Sequence, residues 1–439
     1  MNNTTTFKKL TQWWSVIALS RSAPRTGWNT MGLDRHQMDN LAAHHYMVAM
    51  IANTIALFAE LELEIAIDRP YIQGMALMHD IGEILLGADM ATPQGMSSDY
   101  AEAKQAARRL EDRVIDIFAQ LLSNKKLEAY LRKLCADERA LKTDEARIVK
   151  LADRISDHIH MRNVHPTSRF NRDDEIYFDH SLFPLIDTIE NAKLKNFCLK
   201  LAQALKSAVI HREIEVGTRP YLVAAEDPFR AIIHLFNHFQ GAKRMPRTGW
   251  IVGRFASYEI DTISEHGYMV AVMCLMLLQE LDQQKMLPHI IDTALIEELG
   301  KLYGGGVSVL FNIRAPELKS DANIIRRKTI RFLASFIANS KVREHFLNIY
   351  DKGVTKATDE AKLVLLIGRL ADQLHRELVK KPDYIDRDIA HANKAIDNVL
   401  TSFTDKNLQE AAIEFTKSAL DTIHSGELRR SVFTLLESD

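Results

Sequence analysis

The residues best suited to chemistry are the adjacent pair His79-Asp80, set inside the apolar run Ala76-Leu77-Met78-His79-Asp80-Ile81-Gly82-Glu83. Two metal-binding side chains in a segment that otherwise favours burial are costly unless something is bound between them. His44 lies upstream and Asp153 downstream, each in a stretch that reads as an amphipathic helix. Four such ligands from three helices can enclose one divalent cation and leave positions open for water and a phosphate oxygen. A cation held this way acidifies water and neutralises phosphate charge, so the expected chemistry is hydrolysis of a phosphate ester. Glu83 is the expected catalytic carboxylate, orienting or deprotonating the nucleophile and returning the proton to the leaving group. It lies four residues beyond His79 and three beyond Asp80, which on a helix puts all three on one surface. Imidazole and carboxylate ligands do not select among Mn, Co, Fe, Ni and Zn. A single ion is expected, because no histidine lies between His79 and His158 to serve a second one. His158 and His160 are expected outside the ligand set: five residues beyond Asp153 points away, and seven beyond lies roughly 10 Å along the helix.

The elements that must position these groups read as helices. His44 to Glu64, Tyr100 to Ser123 and Asp144 to Met161 place apolar residues at three- and four-residue spacings, and strand alternation is scarce, so an all-α fold is expected. Trp13-Trp14 belongs on an N-terminal helix facing the core. The chain also contains its own near-copy. Pro24-Arg25-Thr26-Gly27-Trp28 recurs as Pro246-Arg247-Thr248-Gly249-Trp250, and Tyr46-Met47-Val48-Ala49 as Tyr268-Met269-Val270-Ala271, both displaced by 222 positions. Ala76-Leu77 matches Ala294-Leu295, and Leu151-Ala152-Asp153 matches Leu370-Ala371-Asp372. The period is too long for a solenoid, so two tandem helical bundles are expected, residues 1–216 and 217–439, each with its own core. The join falls near Val216 to Pro228, where Gly217, Pro220 and Pro228 interrupt the helical pattern.

The second copy reads as catalytically dead. Glu297-Glu298 stands opposite His79-Asp80 and Lys301 opposite Glu83, while His266 and Asp372 keep their types. His44 rather than His45 is the expected ligand because His266 aligns with it and Gly267 aligns with His45. Either an ion pair between Glu297 and Lys301, four residues apart, fills the vacated place, or both residues are solvent-exposed and the place is empty. The copy then serves either packing or regulation, the latter by binding a nucleotide through Arg247 and Trp250.

Composition narrows the setting. The 439 residues are 46% hydrophobic, and 56 basic against 58 acidic residues leave a formal charge of −2, which argues against a nucleic-acid polymer as partner. Cys135, Cys198 and Cys274 are widely spaced, suiting a reducing compartment. The first ten residues are polar and no run of about 18 uninterrupted apolar residues occurs, so a cytoplasmic protein with no membrane partner is expected.

With these residues in view, the pattern His44, His79-Asp80, Asp153 resembles the HD-domain metal-dependent phosphohydrolases and, more narrowly, their 5′-deoxynucleotidase branch, over roughly Phe7 to Asn163. The finer matches are Arg25-Thr26-Gly27-Trp28, Val48-Ala49-Met50, Glu83, the stretch from Gly87 through Asp89 to Thr92-Pro93, and Asp137-Glu138 leading into Thr143-Asp144-Glu145. The resemblance implies removal of phosphate from a nucleotide, foremost a (deoxy)nucleoside 5′-monophosphate. It implies that Arg25 holds phosphate, Trp28 packs by the sugar, and Asp89 and Glu138 lie near substrate. It also implies pairing of such domains, here as a homo-oligomer or between the two copies in one chain. The chain departs from the family pattern at Ala43, where a Glu is common, in a loop one residue longer at Gly87-Ala88-Asp89, and at Gln94, near which a basic residue is common. A nucleoside triphosphate hydrolase and a non-catalytic nucleotide sensor stay open. A phosphodiesterase of cyclic or signalling nucleotides is disfavoured by the missing additional histidines.

Overall fold

The computed structural model describes residues 3–31, 34, 37–86, 101–164, 172–214, 226–252, 255–256, 259–304, 317–379, 386–426 and 428. Among them there is no strand, and the only bridges are the isolated pairs Pro24 with Asn40 and Pro246 with Thr262. The expected join at Val216 falls in residues 215–225, outside those described.

The most apolar segment becomes the helix that carries His44. Asn40 caps it, its side-chain oxygen accepting the Ala43 N–H at 2.9 Å, and an alanine-rich run propagates it from Leu41 to Leu61. It stops where Leu63 and Ile65 bond back to the carbonyls of Phe58 and Ala59 and Glu64 turns to a φ of 54°. This helix is long and apolar enough to cross a membrane, and its most apolar window is buried wholly inside the protein.

Counting only helices of ten or more residues, the N-terminal portion comprises α1 (Asn3–Ile17), α2 (Leu41–Leu61), α3 (Arg69–Met78), α4 (Ala101–Gln120), α5 (Lys125–Ala140), α6 (Asp144–Val164) and α7 (Ala192–Ile210). The remainder comprises α8 (Pro228–Phe239), α9 (Ile263–Glu280), α10 (Leu287–Ile296), α11 (Leu318–Ala334), α12 (Ser340–Thr355), α13 (Asp359–Val379), α14 (Asp386–Leu400) and α15 (Lys406–His424). α2 packs against α3 and α6 on its own side and against α9 on the other. α9 in turn packs against α10 and α13.

The buried apolar side chains form one continuous cluster drawn from both portions, where two separate cores were expected. The two portions interlock instead of abutting. α1 lies on α15, with Phe7 and Phe415 edge to face at 5.5 Å, and the buried Trp14 donates its indole N–H to the carbonyl of Met269 on α9 at 3.0 Å. Tyr46 on α2 donates its hydroxyl to the carbonyl of Leu295 on α10 at 2.6 Å. Its ring lies so close to α9 that a Cβ at Gly267 would come within 2.6 Å of it. Glycine there is what lets the two helices approach.

Contacts recur at the displacement of 222 seen in the sequence. Leu41 N–H bonds Ala23 and Ile263 N–H bonds Met245; Arg25 N–H bonds Asp39 and Arg247 N–H bonds Asp261. Lys243 reaches across to Asp39 at 2.5 Å, and its counterpart Arg21 reaches across to Asp261 at 3.9 Å. Each portion thus lends a cation to the other's buried aspartate, the reciprocal pattern of a two-fold interface.

Candidate metal centre

Three elements bring the expected ligands together. His44 stands on the first turn of α2, just past the Asn40 cap. His79 is the C-cap of α3, where the helix gives way to a 3₁₀ segment from Ile81 to Leu86. Asp153 lies midway along α6. His44 Nε2 is 3.2 Å from His79 Nε2, 3.2 Å from Asp153 Oδ1 and 3.7 Å from Asp80 Oδ2, and His79 Nε2 is 3.1 Å from Asp80 Oδ2. Ligands at the usual distances from a divalent ion place neighbouring donor atoms about 3 to 3.5 Å apart, so the spacing of His44, His79 and Asp80 suits such an ion. His79 directs Nδ1 at the carbonyl of Ala76, at 2.9 Å, which fixes the ring and leaves Nε2 toward the cluster. Two groups of potential ligands emerge, His44 with His79 and Asp80, and His44 with Asp153 and Asp157, so the four expected residues form two sets sharing His44.

The electrostatics follow from burial and crowding. Burial disfavours charge on His79, but the Asp80 carboxylate beside it prevails and keeps the imidazole protonated up to about 9. Burial likewise opposes charge on Asp80 and Asp153. His79 nevertheless lowers the former, and Lys150 with His44 holds the latter well below the usual carboxylate range. On His44, burial and then Arg25 lower the pKa. The cluster therefore favours cationic charge at its centre.

The carboxylate geometry differs from a continuous α-helix. α3 ends at Met78, and the Glu83 N–H bonds the carbonyl of Asp80 in a three-residue step. Asp80 and Glu83 keep their expected relation at three residues, while His79 and Glu83 do not share an α-helical turn. Gly82 lets α4 approach this turn closely, since a Cβ there would lie 3.1 Å from the Glu111 backbone oxygen. Glu83 is partly buried on that turn.

Arg25 donates to Asp157 at 2.6 Å and stacks its guanidinium 5.4 Å from the centre of the Trp28 ring. Trp28 is buried, donates its N–H to Asp39 at 2.9 Å and packs on His160 at 5.1 Å. Glu138 is buried at the end of α5, its pKa raised by burial, with Lys150 3.9 Å away. Asp89, together with Gly87, Thr92, Pro93 and Gln94, lies outside the described residues. Outside the ligand groups, as expected, His158 stacks on Tyr177 at 5.0 Å and His160 approaches the Gln37 carbonyl at 3.2 Å; burial lowers the pKa of each to about 3. Trp13 and Trp14 are fully buried in the core.

Three residues in the site went unread in the sequence. Lys150 pairs with Asp153 at 2.9 Å, Asp157 holds Arg25, and Asp39 holds Trp28. The available signal was spacing, since Lys150 and Asp157 lie three before and four after Asp153 on α6.

The corresponding place in the other portion is organised differently. Arg247 donates to Asp372 at 2.6 Å and also lies 3.5 Å from Asp261 and 3.9 Å from Glu298. The counterpart of Asp157 is Arg376, at the displacement that relates Asp153 to Asp372, so Arg247 has no carboxylate there and sits on Asp372 instead. The expected pair of Glu297 with Lys301 does not form: Lys301 bonds Glu298 and Glu297 bonds Lys356. The reason is that Glu297–Lys301 is a 3₁₀ helix, in which residues three apart align and residues four apart do not. Among the described residues, no group of three close metal-capable side chains occurs in this portion.

Residues 26–216 match the family model described as 5′-deoxynucleotidase YfbR-like. Neither the curated proteins nor the solved structures gave a match. Residues 26–216, under half of the chain, are thus similar to the YfbR-like 5′-deoxynucleotidase family, whose members are metal-dependent HD-domain phosphohydrolases.

Proposed function

We propose that this protein removes phosphate from a (deoxy)nucleoside 5′-monophosphate with one divalent cation held by His44, His79, Asp80 and Asp153. The observation that carries the reading is His44 on α2, whose Nε2 lies within 3.2–3.7 Å of His79 and Asp80 at the end of α3 and of Asp153 on α6. The cation, when bound, supplies Lewis acidity toward phosphate and water. Arg25, steered by Asp157, offers the guanidinium that binds the phosphate oxygens in a bidentate manner. Glu83 accepts the proton of the attacking water and returns it to the leaving oxygen. Trp28 packs beside the sugar, while Asp89 and Glu138 contact the substrate. Lys150, between Asp153 and Glu138, restrains the charge of the buried carboxylates.

Residues 1–216 are read as the catalytic bundle and 217–439 as a degenerate tandem copy of it that packs and does not catalyse. The recurring contacts at a displacement of 222 and the Arg247–Asp372 pair support this reading. Pairing within one chain then stands where two subunits would meet. The buried free thiols of Cys135, Cys198 and Cys274 suit the cytoplasm.

The test is phosphate release from nucleoside mono- and triphosphates by purified protein loaded in turn with Mn, Co, Fe, Ni and Zn. Orthophosphate from monophosphates, lost in Asp80→Ala, is expected. Release from triphosphates alone moves the assignment to a triphosphate hydrolase, and binding with no release from any nucleotide identifies a sensor.

A further inference from the structure

Asp292 is fully buried on α10, yet most of its partners come from the other portion of the chain. Arg69 Nη1 donates to both of its oxygens at 2.7 Å, and Gln73 Nε2 and Asn53 Nδ2 donate to Oδ1 at 2.8 Å. His345 Nε2, from its own portion, lies 2.8 Å from Oδ2. Gln73 also donates to the Asn53 oxygen at 2.9 Å, while its own Oε1 is buried without a partner and Arg69 turns Nε to Glu60 at 3.0 Å. Asn53 is on α2, the helix of His44; Arg69 and Gln73 are on α3, the helix that ends in His79.

The network is one-sided. Aligning Arg69-Pro70 with Leu287-Pro288 and Ala76-Leu77 with Ala294-Leu295 places Leu287 opposite Arg69, Ile291 opposite Gln73 and Gly74 opposite Asp292. The displacement of 222 along α2 and α9 places Leu275 opposite Asn53. The equivalent position has buried Leu275, Leu287 and Ile291 in place of the donors and Gly74 in place of the aspartate, with the Tyr130 hydroxyl beside that glycine. Apolar packing suffices to hold such helices together, and buried charge is rarely the more stable choice. What a directional polar network adds is a single allowed register.

We propose that Asp292 is a positioning residue for the candidate metal centre, fastening α2 and α3 at the register that brings His44 Nε2 and His79 Nε2 to 3.2 Å. The inference rests on the metal reading above. It gives the C-terminal portion a defined part in the chemistry without any contact to substrate. Tyr46, two residues past His44, adds a second tie from α2 to α10 through the Leu295 carbonyl.

The test grafts the apolar side onto the polar one in the full chain, as Asn53→Leu, Arg69→Leu, Gln73→Ile and Asp292→Ala together. Titration with Co(II), followed by its visible absorption, reads the site independently of turnover. The graft should unfold cooperatively at or above the wild-type temperature, bind Co(II) about 10- to 100-fold more weakly with an altered spectrum, and lose kcat at saturating metal. A folded graft with wild-type Co(II) affinity and spectrum overturns the proposal. If the graft does not fold, Gln73→Leu alone decides by the same readout: weakened binding supports the proposal and unchanged binding overturns it. Wild-type protein that takes up no Co(II) overturns the metal reading as well, which separates the two failures.

Discussion

His79 carries the sharpest consequence of the site's electrostatics. Buried beside Asp80, its imidazole keeps a proton up to about 9, against an ordinary value of 6.5. In protein stripped of metal by a chelator, that proton stabilises the fold fully below pH 6.5, and its contribution is lost as pH rises through about 9. A cation needs the same nitrogen unprotonated. Its affinity should therefore climb with pH across this window, by up to about tenfold per unit for one displaced proton. Thermal unfolding in chelator and Co(II) titrations at several pH values between these limits measure the two opposing trends; an affinity flat across the window contradicts the assignment. The residues of this cluster were legible because two histidines and two aspartates in apolar helices have few inexpensive explanations. Lys150, Asp157 and Asp39 were not, since a charged residue on an amphipathic helix reads as solvent-facing until the neighbouring helix is known. Asp157 shares a face with Asp153, but only the position of Arg25 shows that this face turns inward at that point.

At the scale of elements, periodicity located α2, α4 and α6 within a few residues of their ends. It did not reveal the change from α to 3₁₀ after Met78 and after Ile296, because nothing in the local sequence forces the tighter step. Gly82 stands in that tighter segment, packed closely against Glu111 of α4. Gly82→Ala brings a Cβ to 3.1 Å from a backbone oxygen that sits inside a helix and cannot retreat freely. The expected cost is about 1–3 kcal/mol in denaturant unfolding, with a larger fractional loss of kcat as the Glu83 turn is displaced. Wild-type stability and turnover in this variant would place the turn elsewhere. The same 3₁₀ geometry explains why Lys301 bonds Glu298, three residues before it, and the same three-residue step relates Glu83 to Asp80.

Across the whole molecule, the matching short segments were legible, but the way the two portions meet was not. Sequence similarity between two portions says nothing of how their apolar faces meet, and here they meet as one continuous core. α2 is buried along nearly its whole length, one flank against α3 and α6 and the other against α9. Removing residues 217–439 would bare that second flank and strip Phe7 of Phe415, Trp14 of its carbonyl partner on Met269 and Tyr46 of its partner on Leu295. Arg69, Gln73 and Asn53 would lose Asp292 together, and Asp39 would lose Lys243. An exposed apolar strip of this kind associates with whatever apolar surface is available. The fragment 1–216 is therefore expected to self-associate or precipitate rather than remain monomeric, even though it contains the four proposed ligands and the whole matched region. Sedimentation of the fragment, set beside its unfolding temperature, decides the matter. A monomer as stable as the full chain would mean that the C-terminal portion is dispensable for folding, and its role would then have to be sought in the register it imposes on α2 and α3.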